Sequence, residues 1–153
     1  MRGSLPFLLA AVLGAGMLPS SSAAQAPAAA TLPPRVQYVR VEGADYAFMA
    51  PPTIRPGITV FHLVNVGTDL HAMTVLSIPP SRTVKEFLDL FKSTGKTPAW
   101  ASVLGESGTI KPGKEGFVTT RLVPGRYILA CFLPAADGRS HSELGMVQLV
   151  TAK

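Results

Sequence analysis

Tyr127-Ile-Leu-Ala-Cys131-Phe-Leu-Pro134, then His141-Ser-Glu-Leu-Gly-Met146 and a closing apolar run to Val150, is the stretch that decides how this chain is read. Within twenty residues it carries the only cysteine, one of three histidines and a methionine. A thiolate, an imidazole and a thioether form a donor set soft enough for copper. Upstream, His71 follows the Gly-containing segment Asn65-Val-Gly67-Thr-Asp69 where a strand is expected to begin. Loop-rim positions of that kind are where functional side chains gather. His71, Cys131, His141 and Met146 are thus the candidate metal ligands. Taken singly, each has a plainer reading: a lone Cys is usually buried, a Met fills gaps in a core, and a loop His is solvated. Their combination favours ligation. A single cysteine also rules out an internal disulfide, so in an oxidising compartment the thiol is buried, paired between chains or held by a metal.

Residues 1–24 read as a signal peptide: Arg2, a largely apolar run from Leu5 to Leu18, and Ser22-Ala23-Ala24 as a cleavage site near Ala24. About fourteen apolar positions are too few for a bilayer, which needs roughly twenty, so no membrane span is expected and the location is periplasmic or secreted. Residues 25–35 are Ala- and Pro-rich, a flexible leader. Residues 36–153 suffice for one domain with a core of its own. The net charge of +5 becomes +4 once Arg2 is removed. The basic residues form no run and no aromatic-interleaved motif, which argues against nucleic-acid binding, while a mild positive charge suits an acidic partner protein. With no Gly-x-Ser-x-Gly elbow, phosphate loop or paired-carboxylate motif, an enzyme is not expected.

Along the chain, β-branched and alternating runs predict strands over 36–42, 46–49, 58–64, 70–78, 117–123, 126–133 and 145–151, separated by Pro and Gly turns. About seven strands joined by turns imply a two-sheet antiparallel sandwich. Thr83-Val-Lys-Glu86 has capping-box form, and Val84, Phe87, Leu88 and Phe91 follow at helical spacing up to Gly95. Thr97-Pro98-Ala-Trp100 suggests a second short helix ending by Gly105, giving a helical insertion near residues 83–105 with Trp100 anchoring it. His62 is assigned to packing, as are Met49 and Met73; Tyr127 is read as packing with a locally bonded hydroxyl, and Glu143 as a solvated carboxylate.

Pro56-Gly57 opening a strand, Asn65-x-Gly67-x-x-x-His71, Pro124-Gly125-x-Tyr127-x-x-x-Cys131 and His141-x-x-x-Gly145-Met146 together resemble the cupredoxins, the blue-copper proteins. The likeness runs from about Glu42 to Val150, with the helical segment as an insertion. It implies an all-β, Greek-key two-sheet β-sandwich holding one type-1 copper, with His71, Cys131 and His141 as equatorial ligands and Met146 as the weak axial one. It further implies a single-electron carrier for a redox partner protein, with Cys131 supplying the electronic coupling, Met146 tuning the potential and His141, on an exposed end loop, the electron exit. A copper-handling protein without redox turnover and a metal-free binding module of the same fold are the alternatives. Two departures stand out. Nine residues separate Cys131 from His141, longer than in small electron carriers of this kind. Ala72 follows His71 where many members have an asparagine, so a hydrogen bond between the ligand loops is expected to be missing.

Overall fold

The computed structural model describes residues 35–153; the signal peptide and all of the leader but Arg35 lie outside the described residues. Nine strands and one helix are present among them: β1 (Val36–Ala44), β2 (Ala47–Met49), β3 (Thr53–Ile54), β4 (Gly57–Asn65), β5 (Thr74–Ile78), α1 (Val84–Thr94), β6 (Ser102–Glu106), β7 (Glu115–Leu122), β8 (Gly125–Ala130) and β9 (Val147–Ala152). They form a Greek-key β-sandwich of two sheets, ordered β2-β1-β4-β7 and β3-β9-β8-β5-β6. The expected antiparallel sheets are mixed, because β1 pairs parallel with β4 and β3 with β9. Such pairings join segments far apart in the chain and leave no local turn signal.

Alternation places the core. On β1, Val39, Val41 and Gly43 point inward; on β4, Thr59, Phe61, Leu63 and Asn65 do. They meet Met73, Val75, Leu129, Cys131, Met146 and Val150 from the other sheet. β8 is buried on both faces over Tyr127–Ala130, since its outward residues Ile128 and Ala130 are covered by α1 through Phe87, with Leu76 and Ile78 of β5 beside them. A strand covered on both sides loses the polar half of its alternation.

α1 forms as its sequence dictates. Thr83 accepts from the Glu86 N–H at 3.1 Å, the Glu86 carboxylate accepts from the Thr83 N–H at 2.7 Å, and Gly95 closes the helix at φ 66°. The second helix is not there. Residues 102–106 are β6, which pairs with β5 through Leu76↔Val103 and Thr74↔Glu106, so edge pairing overrides the Pro-led helix signal. Trp100 does anchor the segment, edge-on to Phe87 at 6.1 Å with the Arg82 guanidinium over its ring.

Strand register explains why distant loops converge. Gly43 is opposite Asn65, Val64 opposite Glu115, and Thr74 opposite both Ala130 and Glu106. The β1–β2 turn, the β4–β5 loop, the β6–β7 loop and the β8–β9 loop therefore leave the sandwich at one pole.

Candidate metal centre

His71, Cys131 and His141 meet at that pole, all three buried, with one donor atom from each within 4.8 Å of the others. His71 Nδ1 lies 3.3 Å from His141 Nδ1, and Cys131 Sγ lies 3.5 Å from the same nitrogen. Three donors in a plane, each about 2.0–2.3 Å from one centre, must stand about 3.5–4 Å apart, close to the spacing observed. Met146 is fully buried beside them. Its backbone is bonded to both neighbours, accepting from Cys131 N at 3.1 Å and donating to His141 O at 2.8 Å. Its terminal methyl and the His71 ring both approach Gly43, Met146 Cε to within 3.2 Å and His71 Cδ2 to within 3.6 Å of where a Cβ would sit.

His71 does not open a strand, as the sequence suggested. It forms an isolated bridge to Ile110, exchanging backbone hydrogen bonds of 3.0 and 2.7 Å, and the strand resumes only at Thr74. Asn65 braces the His71 loop on another side, not against the cysteine loop. Fully buried, it donates from Nδ2 to the carbonyls of Asp69 and Ile110 at 2.8 and 2.9 Å and accepts from Gly67 N. It thereby ties the His71 loop to the β6–β7 loop. At position 72 the backbone contributes instead, the Ala72 N–H donating to Cys131 Sγ at 3.3 Å.

The nine residues between Cys131 and His141 do not loosen the site. Pro134 bridges Ser140, Ala135 N donates to Arg139 O, and Gly138 turns the tip, so the surplus length closes on itself as a small hairpin. His141 N then donates to Leu133 O at 2.9 Å, and Ser142 N to Cys131 O at 2.7 Å. Glu143 is a brace rather than a free carboxylate: it accepts from the N–H and hydroxyl of Ser140 and pairs with Lys92 of α1 at 3.7 Å.

Two residues of the β1–β2 turn reach the site that sequence reasoning missed. Asp45 Oδ1 lies 3.1 Å from His71 Nε2. The same carboxylate accepts from the Thr68 hydroxyl, the Thr68 N–H and the Asp69 N–H, which together hold it well below the usual carboxylate range. Tyr46, the one non-glycine residue at positive φ among those described (60°), sets its ring edge-on to His141 at 4.9 Å and donates its hydroxyl to Asp69. His141 is accordingly only 2% exposed, against the open position expected of it. An Asp and a Tyr in a turn have ordinary turn explanations, and no spacing rule signals a contact across 26 residues.

Burial pushes the Cys131 thiol up, opposed by the N–H groups of Ala72 and Leu133. Burial, and then the charge of His71, lower His141, favouring the neutral imidazole that a metal requires. His62 stands apart on the outer face of its sheet, 2.7 Å from Glu115 and stacked on Phe117. Met73 is core, whereas Met49 is half exposed, not packed as expected.

No family model matches the chain, and no curated protein sequence matches it. Solved structures do. Auracyanin B is 18% identical with a TM-score of 0.55, covering 80% of this chain and 92% of its own. A dithionite-reduced auracyanin from Roseiflexus castenholzii is 16% identical with a TM-score of 0.54, over 76% and 96%. Auracyanin A, a "blue" copper protein from Chloroflexus aurantiacus, is 15% identical with a TM-score of 0.54, over 78% and 100%. These are cupredoxins, and the chain has the cupredoxin fold. Its buried His71, Cys131 and His141 cluster fits one type-1 copper site.

Proposed function

We propose that this chain is an exported type-1 copper protein that carries single electrons, with His71, Cys131 and His141 as the strong ligands and Met146 as the axial one. The observation that carries this reading is the preassembled triple: two Nδ1 atoms and a sulfur 3.3 and 3.5 Å apart, buried, with every ligand loop tied by backbone hydrogen bonds. Copper bound there supplies one-electron chemistry, alternating between Cu(II) and Cu(I). The chain's part is to hold the donors still. Backbone ties to Ile110, Leu133 and Met146 fix the ligand spacing whether or not charge has moved, which keeps reorganisation small. The Ala72 N–H bonded to Cys131 Sγ withdraws density from the sulfur and fixes its orientation. Tyr46 keeps water off His141, so electrons leaving by that imidazole pass the tyrosine ring. No catalytic role is assigned; the third histidine is engaged with Glu115.

Export rests on residues 1–24, and among the described residues no helix is long and apolar enough to cross a membrane. The partner is a redox protein, and the net charge of +4 that remains once Arg2 is removed suits one with an acidic surface.

The test is to load residues 25–153 with Cu(II). An intense visible thiolate band, absent in Cys131→Ser, with reversible voltammetry is the expected result. Metal uptake without fast electron exchange would point to copper handling instead. Absence of the band in the unaltered chain would leave a metal-free binding module.

A further inference from the structure

We infer that Asp45 is the positioning residue that sets the donor strength of His71, and that Gly67 is small so that the two can meet. The inference rests on the copper reading above. His71 has two ring nitrogens with different neighbours. Nδ1 faces His141 Nδ1, in the cluster with Cys131, and Nε2 faces Asp45 Oδ1 at 3.1 Å. A carboxylate that only accepts requires the proton on Nε2. The lone pair is then on Nδ1, aimed at the metal.

The carboxylate is not free to swing away. Its Oδ2 accepts from the Thr68 hydroxyl at 2.7 Å and the Thr68 N–H at 2.9 Å, and its Oδ1 from the Asp69 N–H at 3.1 Å. A clasp between the β1–β2 turn and the β4–β5 loop needs no more than these bonds. The space at residue 67 points to a further purpose. A Cβ there would stand 2.2 Å from Asp45 Oδ1 and 2.7 Å from His71 Nε2, so the missing side chain vacates the room around that one hydrogen bond.

A carboxylate bonded to the far N–H of a ligating imidazole raises its basicity and fixes its tautomer, and removing such a partner typically weakens metal binding 10–100-fold. The more basic nitrogen favours Cu(II) over Cu(I). Asp45 therefore holds the reduction potential down, and each tenfold change in that preference is about 59 mV for one electron.

The experiment compares Asp45→Asn with the unaltered copper-loaded chain by voltammetry, by competition titration with Cu(II) and Cu(I), and by thermal melting. A 10–100-fold loss of Cu(II) affinity exceeding the Cu(I) loss, with a raised potential, is expected. An unchanged or lowered potential alongside a lower Tm would overturn the inference and make Asp45 a loop clasp only, leaving the copper reading intact. If the variant does not fold, nitrogen-edited NMR of the unaltered Cu(I) form decides. A slowly exchanging proton on His71 Nε2 is expected, and a proton on Nδ1 would overturn the inference. No thiolate band in the unaltered chain would instead sink the copper reading itself.

Discussion

The Tyr127 hydroxyl donates to Val123 O at 2.7 Å and accepts from Val123 N at 3.0 Å, closing the turn between β7 and β8 four residues before the cysteine. Tyr127→Phe should cost about 1 kcal/mol, read as a lower urea midpoint with the m-value unchanged. Gly67→Ala should cost more, about 1–3 kcal/mol, because neither Asp45 nor the fully buried His71 can yield without breaking bonds. Urea denaturation of the metal-free chain checks both. Single side chains also mark where sequence reading stops. The convergence of Cys131 and His141 was legible because soft donors seldom gather so closely in the chain, and that of His71 through its Gly-containing loop. Asp45 was not, and Asn65 was read as part of the motif before His71 without its bonding role: each acts through a fold that brings a turn or a strand end against a loop.

Among the elements, α1 was readable at both ends because a capping box and a left-handed glycine act within four residues. Its neighbour β6 was misread as helix because Pro98 and Trp100 are strong local signals, while pairing with β5 is a contact made some 27 residues away. α1 covers β8 through Phe87, which is fully buried and packs near Phe91, Trp100 and Phe132. Phe87→Ala should cost about 3–5 kcal/mol, measured by chemical denaturation. Phe132 adjoins Cys131, and Lys92 of the same helix pairs with Glu143 of the ligand loop. Loss of the helix should therefore also broaden the thiolate band of the copper-loaded protein, which an exposed substitution on the opposite sheet away from the pole, such as Tyr38→Ala, would not do.

For the whole molecule, the proposed copper site would couple metal binding to folding. A ligand that binds only the native state at 100 times its Kd adds about 2.7 kcal/mol, so Cu(II) should raise the Tm of the unaltered chain and leave that of Cys131→Ser nearly unchanged, a comparison calorimetry makes directly. The sandwich was legible from turn spacing and alternation; its mixed pairing was not, since β1 and β4 are joined by no hairpin. The self-closed outgrowth at residues 134–140 carries a practical corollary. Its tip at Asp137–Gly138 is exposed and bears no tie to His141, whose anchor is Leu133. A peptide tether spliced in at that tip would fasten the protein to a conducting surface through a short wire, with the imidazole of His141 still where the rest of the chain has put it.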